Sequence, residues 1–142
     1  MNRHASPTRS SLRGFTPACE DVGMGTSSSA AADCLFCRIV AGEIPAEVVA
    51  SDDTAMAFRD VNPQAPTHAL VVPRSHYADA AGLADGEPGT VAALVRMARD
   101  VARADGLDDY RLVFNTGADA GQTVFHTHLH VLGGRAMTWP PG

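Results

Sequence analysis

Apolar residues recur along this chain in two rhythms, and each marks a different kind of element. Leu35, Phe36, Ile39 and Val40 fall on one face of a short helix, which Gly42 would stop. Val91, Leu94, Val95, Ala98, Val101 and Ala102 repeat at helical spacing and predict one long helix from about Pro88 to Asp105. Pro88 suits its first turn and Gly106 the position just past its end. Strand-sized runs lie elsewhere. Val48 to Ala50 and Ala55 to Phe58 read as a hairpin-like pair joined at Asp52-Asp53, His68 to Val72 as a strand ended by Pro73, and Tyr110 to Asn115 as another. His126 to Leu132 alternates polar and apolar and predicts the last strand. Residues 60–66, with Asn62-Pro63 and Ala65-Pro66, and the glycine-containing 116–122 are loops. The order of short helix, strands, long helix and two strands predicts an α+β domain on a mainly antiparallel sheet.

No such rhythm precedes Asp33. Residues 1–32 are rich in Ser, Thr, Ala, Gly and Pro and read as a disordered N-terminal tail, leaving 33–142 as one domain. The tail carries Arg3, Arg9 and Arg13 with no acid before Glu20, so an organelle transit peptide and a start at Met24 stay open as alternatives. Composition then narrows the partners. The net charge is −5, with eleven arginines, no lysine and sixteen acids. The tail nets +1 and residues 33–142 net −6, which argues against nucleic acid and leaves any anionic ligand to local donors. No apolar run reaches the length of a membrane span. Three cysteines, Cys19, Cys34 and Cys37, make no disulfide framework and suit a reducing compartment, the cytoplasm.

Three of the six histidines, His126, His128 and His130, fall within five residues. On a strand, alternate side chains share a face, so the imidazoles would form one row; on a helix the middle ring would point away from the others. A solvated strand face, a metal site and nucleophilic catalysis by an oriented imidazole are all compatible with that row. Gly117, Gly121, Gln122 and Thr123 just upstream offer backbone N–H groups and a hydroxyl, as a phosphate cradle would.

The segment His126-Thr127-His128-Leu129-His130-Val131-Leu132 resembles the signature of the histidine triad superfamily. Cys34-Leu35-Phe36-Cys37, Ala57-Phe58-Arg59-Asp60, Pro63-Gln64-Ala65-Pro66-Thr67-His68, Val72-Pro73-Arg74-Ser75-His76 and Gly133-Gly134-Arg135 with Trp139-Pro140-Pro141-Gly142 are similar to its Hint-type branch of nucleotide-binding proteins. The resemblance implies a five-stranded antiparallel sheet with one short and one long helix, extended across a homodimer. It implies hydrolysis of the P–N bond of purine nucleoside 5′-phosphoramidates through a covalent nucleotidyl-histidine, with no cofactor required for catalysis. Dinucleoside polyphosphate hydrolysis, or a nucleotide-binding scaffold dimer with vestigial catalysis, are its alternatives. His128 would be the nucleophile, His126 and His130 would orient it and bind phosphate, and His68 would extend the relay. Asp60 would take the ribose hydroxyls and Phe36, Phe58 and Val61 the base. Asn115, Gly121, Gln122, Thr123 and Val124 would surround the α-phosphate and leaving group. Arg59 stands where close members often carry histidine, which would alter base or ribose contacts, and Thr123 replaces a common serine. Some bacterial members bind a structural zinc through residues matching Cys34, Cys37, His76 and His126; two packed thiols are the other expectation for the Cys-x-x-Cys pair. The physiological amine and the choice between adenine and guanine are not legible.

Overall fold

In a computed structural model, which describes residues 32–142, five strands form one antiparallel sheet: β1 (Val48–Ser51), β2 (Ala55–Arg59), β3 (Thr67–Pro73), β4 (Tyr110–Phe114) and β5 (Leu129–Gly133), in the order β1-β2-β3-β5-β4. The helices are α1 (Leu35–Val40), α2 (Ala80–Gly86) and α3 (Pro88–Ala104). The tail expected over 1–32 lies, as far as residue 31, outside the described residues.

Strand alternation divides the sheet into two unlike faces. Ala55, Ala57, Ala69, Val71, Leu129 and Val131 face α2 and α3 and pack on Leu83, Leu94, Met97, Ala98, Val101 and Ala102. Short residues on the sheet admit the long helix closely, and the helix stripe 94-97-98-101-102 follows the i, i+3, i+4 spacing of an amphipathic helix. Val95, expected on that stripe, is exposed. The other face carries Met56, Phe58, Leu70 and Val72, covered by Phe36 and Ile39 of α1. A six-residue helix cannot cover a five-stranded sheet, and a cavity opens beside it on the central strands β3 and β5.

Two features depart from expectation. Besides the short and the long helix predicted, α2 is a third. Its sequence, Ala-Ala-Gly-Leu-Ala-Asp-Gly, offers one large apolar side chain, Leu83, too few to show a period; the Asp79 carboxylate caps it by accepting from the Gly82 N–H at 2.9 Å. The last strand also begins late, at Leu129 rather than His126. The Thr127 N–H and hydroxyl both donate to the Tyr77 carbonyl, at 2.7 and 3.1 Å. That pulls 126–128 off the ladder, so the three histidines do not form one row.

Candidate active site

The departure from the ladder sorts the histidines. His130, on β5, and His68, on β3, share the face that carries Leu70, and the His68 Nε2 lies 2.9 Å from His130 Nδ1. His128 leans over them, its ring centroid 5.0 Å from that of His130 and 5.0 Å from that of Phe36, nearly perpendicular to the latter. The His126 ring instead turns away and is fully buried.

Backbone groups fix which nitrogen carries the proton. The Gln64 N–H donates to His68 Nδ1 at 3.0 Å, so His68 carries its hydrogen on Nε2. That Nε2–H has His130 Nδ1 at 2.9 Å and the Asp60 carboxylate at 3.4 Å. His130 then accepts on Nδ1 and holds its hydrogen on Nε2, which is buried without a partner among the described residues. At His128 the assignment runs the other way: Nδ1 lies 2.7 Å from the His126 carbonyl, which can only accept, so Nε2 is left with a free lone pair. One ring offers a donor and its neighbour a lone pair. Burial pushes His68 and His128 below the ordinary imidazole range, and His130 down to about 4, helped by its histidine neighbours. All three are therefore neutral at pH 7.

The cavity beside them measures about 430 Å³. Phe36, Ile39, Ile44, Phe58 and Leu70 make an apolar slot, and Asp60, Val61, Gly121, Thr123, Val124, His128 and His130 complete the wall. Phe36 and Phe58 meet edge to face at 5.5 Å. Gly121 takes a left-handed φ of +98°, and the Asn115 amide nitrogen lies 3.8 Å from where its side chain would begin. A larger hollow of about 760 Å³ lies along β4, lined by Asp108, Asp109, Arg111 and Arg135, but no histidine or cysteine among the described residues reaches it.

Near the cavity, the His126 ring meets three other ligand atoms. Its Nε2 lies 2.9 Å from the Pro73 carbonyl and must donate to it, which turns the Nδ1 lone pair toward His76 Nδ1 at 3.1 Å, Cys37 Sγ at 3.4 Å and Cys34 Sγ at 3.5 Å. Cys37 Sγ is 3.3 Å from His76 Nδ1. Ligands around a tetrahedral zinc stand roughly 3.3–3.8 Å apart, given its bond lengths to nitrogen and sulfur. A ring that donates its second nitrogen to a carbonyl is also the usual support for a metal ligand. These four side chains could hold such an ion.

The family model of the HIT domain matches residues 41–137. This chain belongs to the HIT domain family. An uncharacterized HIT-like protein of Synechocystis is 46% identical over 113 residues, 79% of this chain and 99% of its own. A 14 kDa zinc-binding protein of Zea mays is 46% identical over 112 residues, covering 76% and 87%. Among solved structures, a HIT family hydrolase from Legionella pneumophila superposes with a TM-score of 0.74 at 51% identity, over 78% of this chain and all of that one. A histidine triad protein from Clostridium difficile superposes at 0.71 with 41% identity, over 75% and 94%.

Within this HIT domain most of the expected residues converge, but four take other places, among them Asn115, which lies behind Gly121 and does not line the cavity. Gln122 does not line the cavity: its amide accepts from the Gly117 N–H at 2.9 Å and donates to the Ala78 and Val124 carbonyls at 2.7 and 3.1 Å, holding the loop. His126 reaches His128 through its carbonyl rather than its ring. Arg59 touches the rim, but its guanidinium is spent on Asp105 of the opposite face. Ile39 and Leu70 were legible only as apolar positions of a helix and a strand, since an apolar residue in sequence does not say whether it faces another side chain or a ligand. Among the described residues no helix is long and apolar enough to cross a membrane.

The depressed imidazoles link stability to pH. His130 titrates near 4 when folded and near the ordinary 6.5 when unfolded. Between those values the unfolded chain binds more protons, so stability rises with pH across that window and is lost as pH falls through it. Thermal melts from pH 7 to 4.5 should show a smaller acid loss in His130→Gln than in the parent. Equal losses would show that His130 is not held neutral by burial.

Proposed function

We propose that this HIT-domain protein is a nucleotide-binding hydrolase of the Hint type, with residues 33–142 as its catalytic domain, that cleaves the P–N bond of purine nucleoside 5′-phosphoramidates. The observation that carries this is the His128 lone pair beside the His130 Nε2–H, which has no partner among the described residues, in a cavity to which those residues bring no free cation. The flat apolar slot fits a base, and Asp60, an acceptor only, fits the ribose diol. The His128 Nε2 attacks phosphorus; a P–N bond to His128 forms as the P–N bond to the amine breaks, and the amine takes up a proton as it leaves. His130 Nε2–H donates to a phosphoryl oxygen, and Thr123 stands where the leaving group departs. Water then cleaves the nucleotidyl-histidine to release the nucleoside monophosphate.

The cavity's charge favours this over its alternatives. Its lining includes one cation, Arg59, already neutralised by Asp105, and its imidazoles are neutral. A phosphoramidate ester brings a single negative charge that N–H donors can hold. A dinucleoside polyphosphate brings several, whose burial without cations is costly. A scaffold with vestigial catalysis would not need two adjacent imidazoles held in opposite tautomers.

The Cys34, Cys37, His76 and His126 set supports a structural zinc, as the name of the maize relative also suggests. Zinc would clamp α1, the strand end after β3 and the start of the triad together, and it would take no part in bond cleavage. A homodimer with a continuous sheet is part of the same reading: β4 is an edge strand, and its backbone is free to pair with a second copy.

The test is a turnover panel. Adenosine and guanosine 5′-phosphoramidates with several amines should be cleaved at least about 100-fold more efficiently, in kcat/KM, than diadenosine polyphosphates, a gap of the size that unpaired buried charge imposes. Tight AMP binding with no turnover of any of them would instead establish the scaffold reading.

A further inference from the structure

On the sheet face away from the cavity, one carboxylate gathers two side chains whose chain neighbours are site residues. Asp105, just past the end of α3, accepts from both terminal nitrogens of the Arg59 guanidinium, at 2.5 and 2.8 Å, and from the Thr67 hydroxyl at 2.8 Å. Arg59 directly precedes Asp60, and Thr67 directly precedes His68. Neighbours on a strand point to opposite faces, so holding Arg59 and Thr67 from the helix side fixes the backbone that aims Asp60 at the cavity and His68 at Asp60 and His130 behind it. Those two meet there: the Asp60 N–H donates to the His68 carbonyl at 3.0 Å, and the carboxylate reaches His68 Nε2 at 3.4 Å.

The position needs such a hold. The β2–β3 ladder ends at the Arg59–Ala69 pair, and the Asp60 N–H makes its last cross-strand hydrogen bond, just before the exposed Val61 and a loop with two prolines. A bidentate guanidinium–carboxylate pair is stiff and directional, and here both partners are mostly shielded from water, with 29% and 19% of their side chains exposed. Arg59 holds the Asp105 carboxyl well below the usual carboxylate range, and the Thr67 hydroxyl adds to this, so the pair stays charged throughout the working pH range.

We propose that Asp105, through Arg59 and Thr67, is a positioning residue that sets the Asp60 carboxylate on the ribose hydroxyls of the nucleotide. The proposal rests on the nucleotide reading above, and it gives the long helix a part in substrate selection although no atom of it touches the site.

Calorimetric binding of AMP and of 2′,3′-dideoxy-AMP to the full chain, with a thermal melt of each variant, tests it. The parent should prefer AMP by about ten-fold, the worth of hydrogen bonds from a diol to a carboxylate. In Asp105→Asn the preference should shrink to about two-fold, with AMP affinity falling while dideoxy-AMP affinity is held. Thr67→Val, which loses one hydrogen bond and keeps the shape, should shift in the same direction by a smaller factor and carries the comparison if Asp105→Asn does not fold. A merely structural pair would lower the melting temperature and leave the diol preference intact, and that result overturns the proposal. A parent that binds neither nucleotide removes the nucleotide reading itself, and the positioning role with it; a parent with the preference beside variants that keep it removes the positioning role alone.

Discussion

His128→Ala should lose about 10⁴-fold or more of phosphoramidate turnover while still binding AMP, the scale seen when a catalytic nucleophile is deleted. The expectation follows from the tautomer. The His126 carbonyl, 2.7 Å away, holds the hydrogen of His128 on Nδ1 and so directs the lone pair through Nε2. Burial keeps the ring neutral, and among the described residues no other imidazole at the cavity has a free lone pair: His130 Nδ1 faces His68, and His68 Nδ1 is held by Gln64. Turnover of a phosphate-labelled substrate stopped with alkaline denaturant, in which an imidazole–phosphorus bond survives, should trap label on His128 in the parent and none in the alanine variant. His128→Gly supplied with free imidazole should regain part of the rate, because the missing group is then replaced in kind. A His128→Ala protein that still turns over substrate at the parent's rate would end the covalent mechanism.

Cys37→Ser should destabilise the domain by about 3 kcal/mol or more, and metal analysis should find one zinc per parent chain and little in the variant. Structural zinc sites release far more than this in isolated peptides, and a domain with its own core retains part of it. The thiol makes the argument sharper. Without a cation beside it, burial and its neighbour Cys34 push the Cys37 thiol up to about 12, so the thiolate needs a metal to exist there at neutral pH. The loss should also reach turnover, since His126 gives its ring to this cluster and its carbonyl to His128. Metal-free parent protein whose Cys37→Ser melts within about 0.5 kcal/mol of it, the range of an ordinary surface change, would mean packed thiols and imidazoles instead.

Much of this was readable before any coordinates. The stripe at Leu94, Ala98, Val101 and Ala102 was visible because a helix against a flat sheet must repeat its apolar positions. β2 and β3 were visible because their apolar runs end at Asp60 and Pro73. The triad stood out by spacing alone. What escaped were features set by a partner distant in sequence. The helix at Ala80–Gly86 rests on a cap and one leucine, with no period to detect. Gln122 carries the chemistry of a ligand contact, and only the positions of the Ala78 and Gly117 groups show that its amide is already used. Arg59 was read as a contact because it stands where close members often carry histidine, and strand alternation sends its guanidinium to Asp105 on the other face.

The sequence by itself determined the family, the two rhythms and the inventory of chemical groups: six histidines, a Cys-x-x-Cys pair and one acid after β2. These are local facts, carried by side-chain type and by periods of two and 3.6 residues. The roles were decided by tertiary structure. His126, His128 and His130 are equivalent in spacing, but two hydrogen bonds from Thr127 to the Tyr77 carbonyl pull the first part of the triad off the sheet. One ring then turns to two cysteines, one keeps a free lone pair and one holds out a proton. The physical reason is that a tautomer is set by whichever donor or acceptor the fold brings within 3 Å, and those partners, Gln64, Pro73 and the carbonyl of His126, are backbone groups that every sequence possesses and only a fold can place.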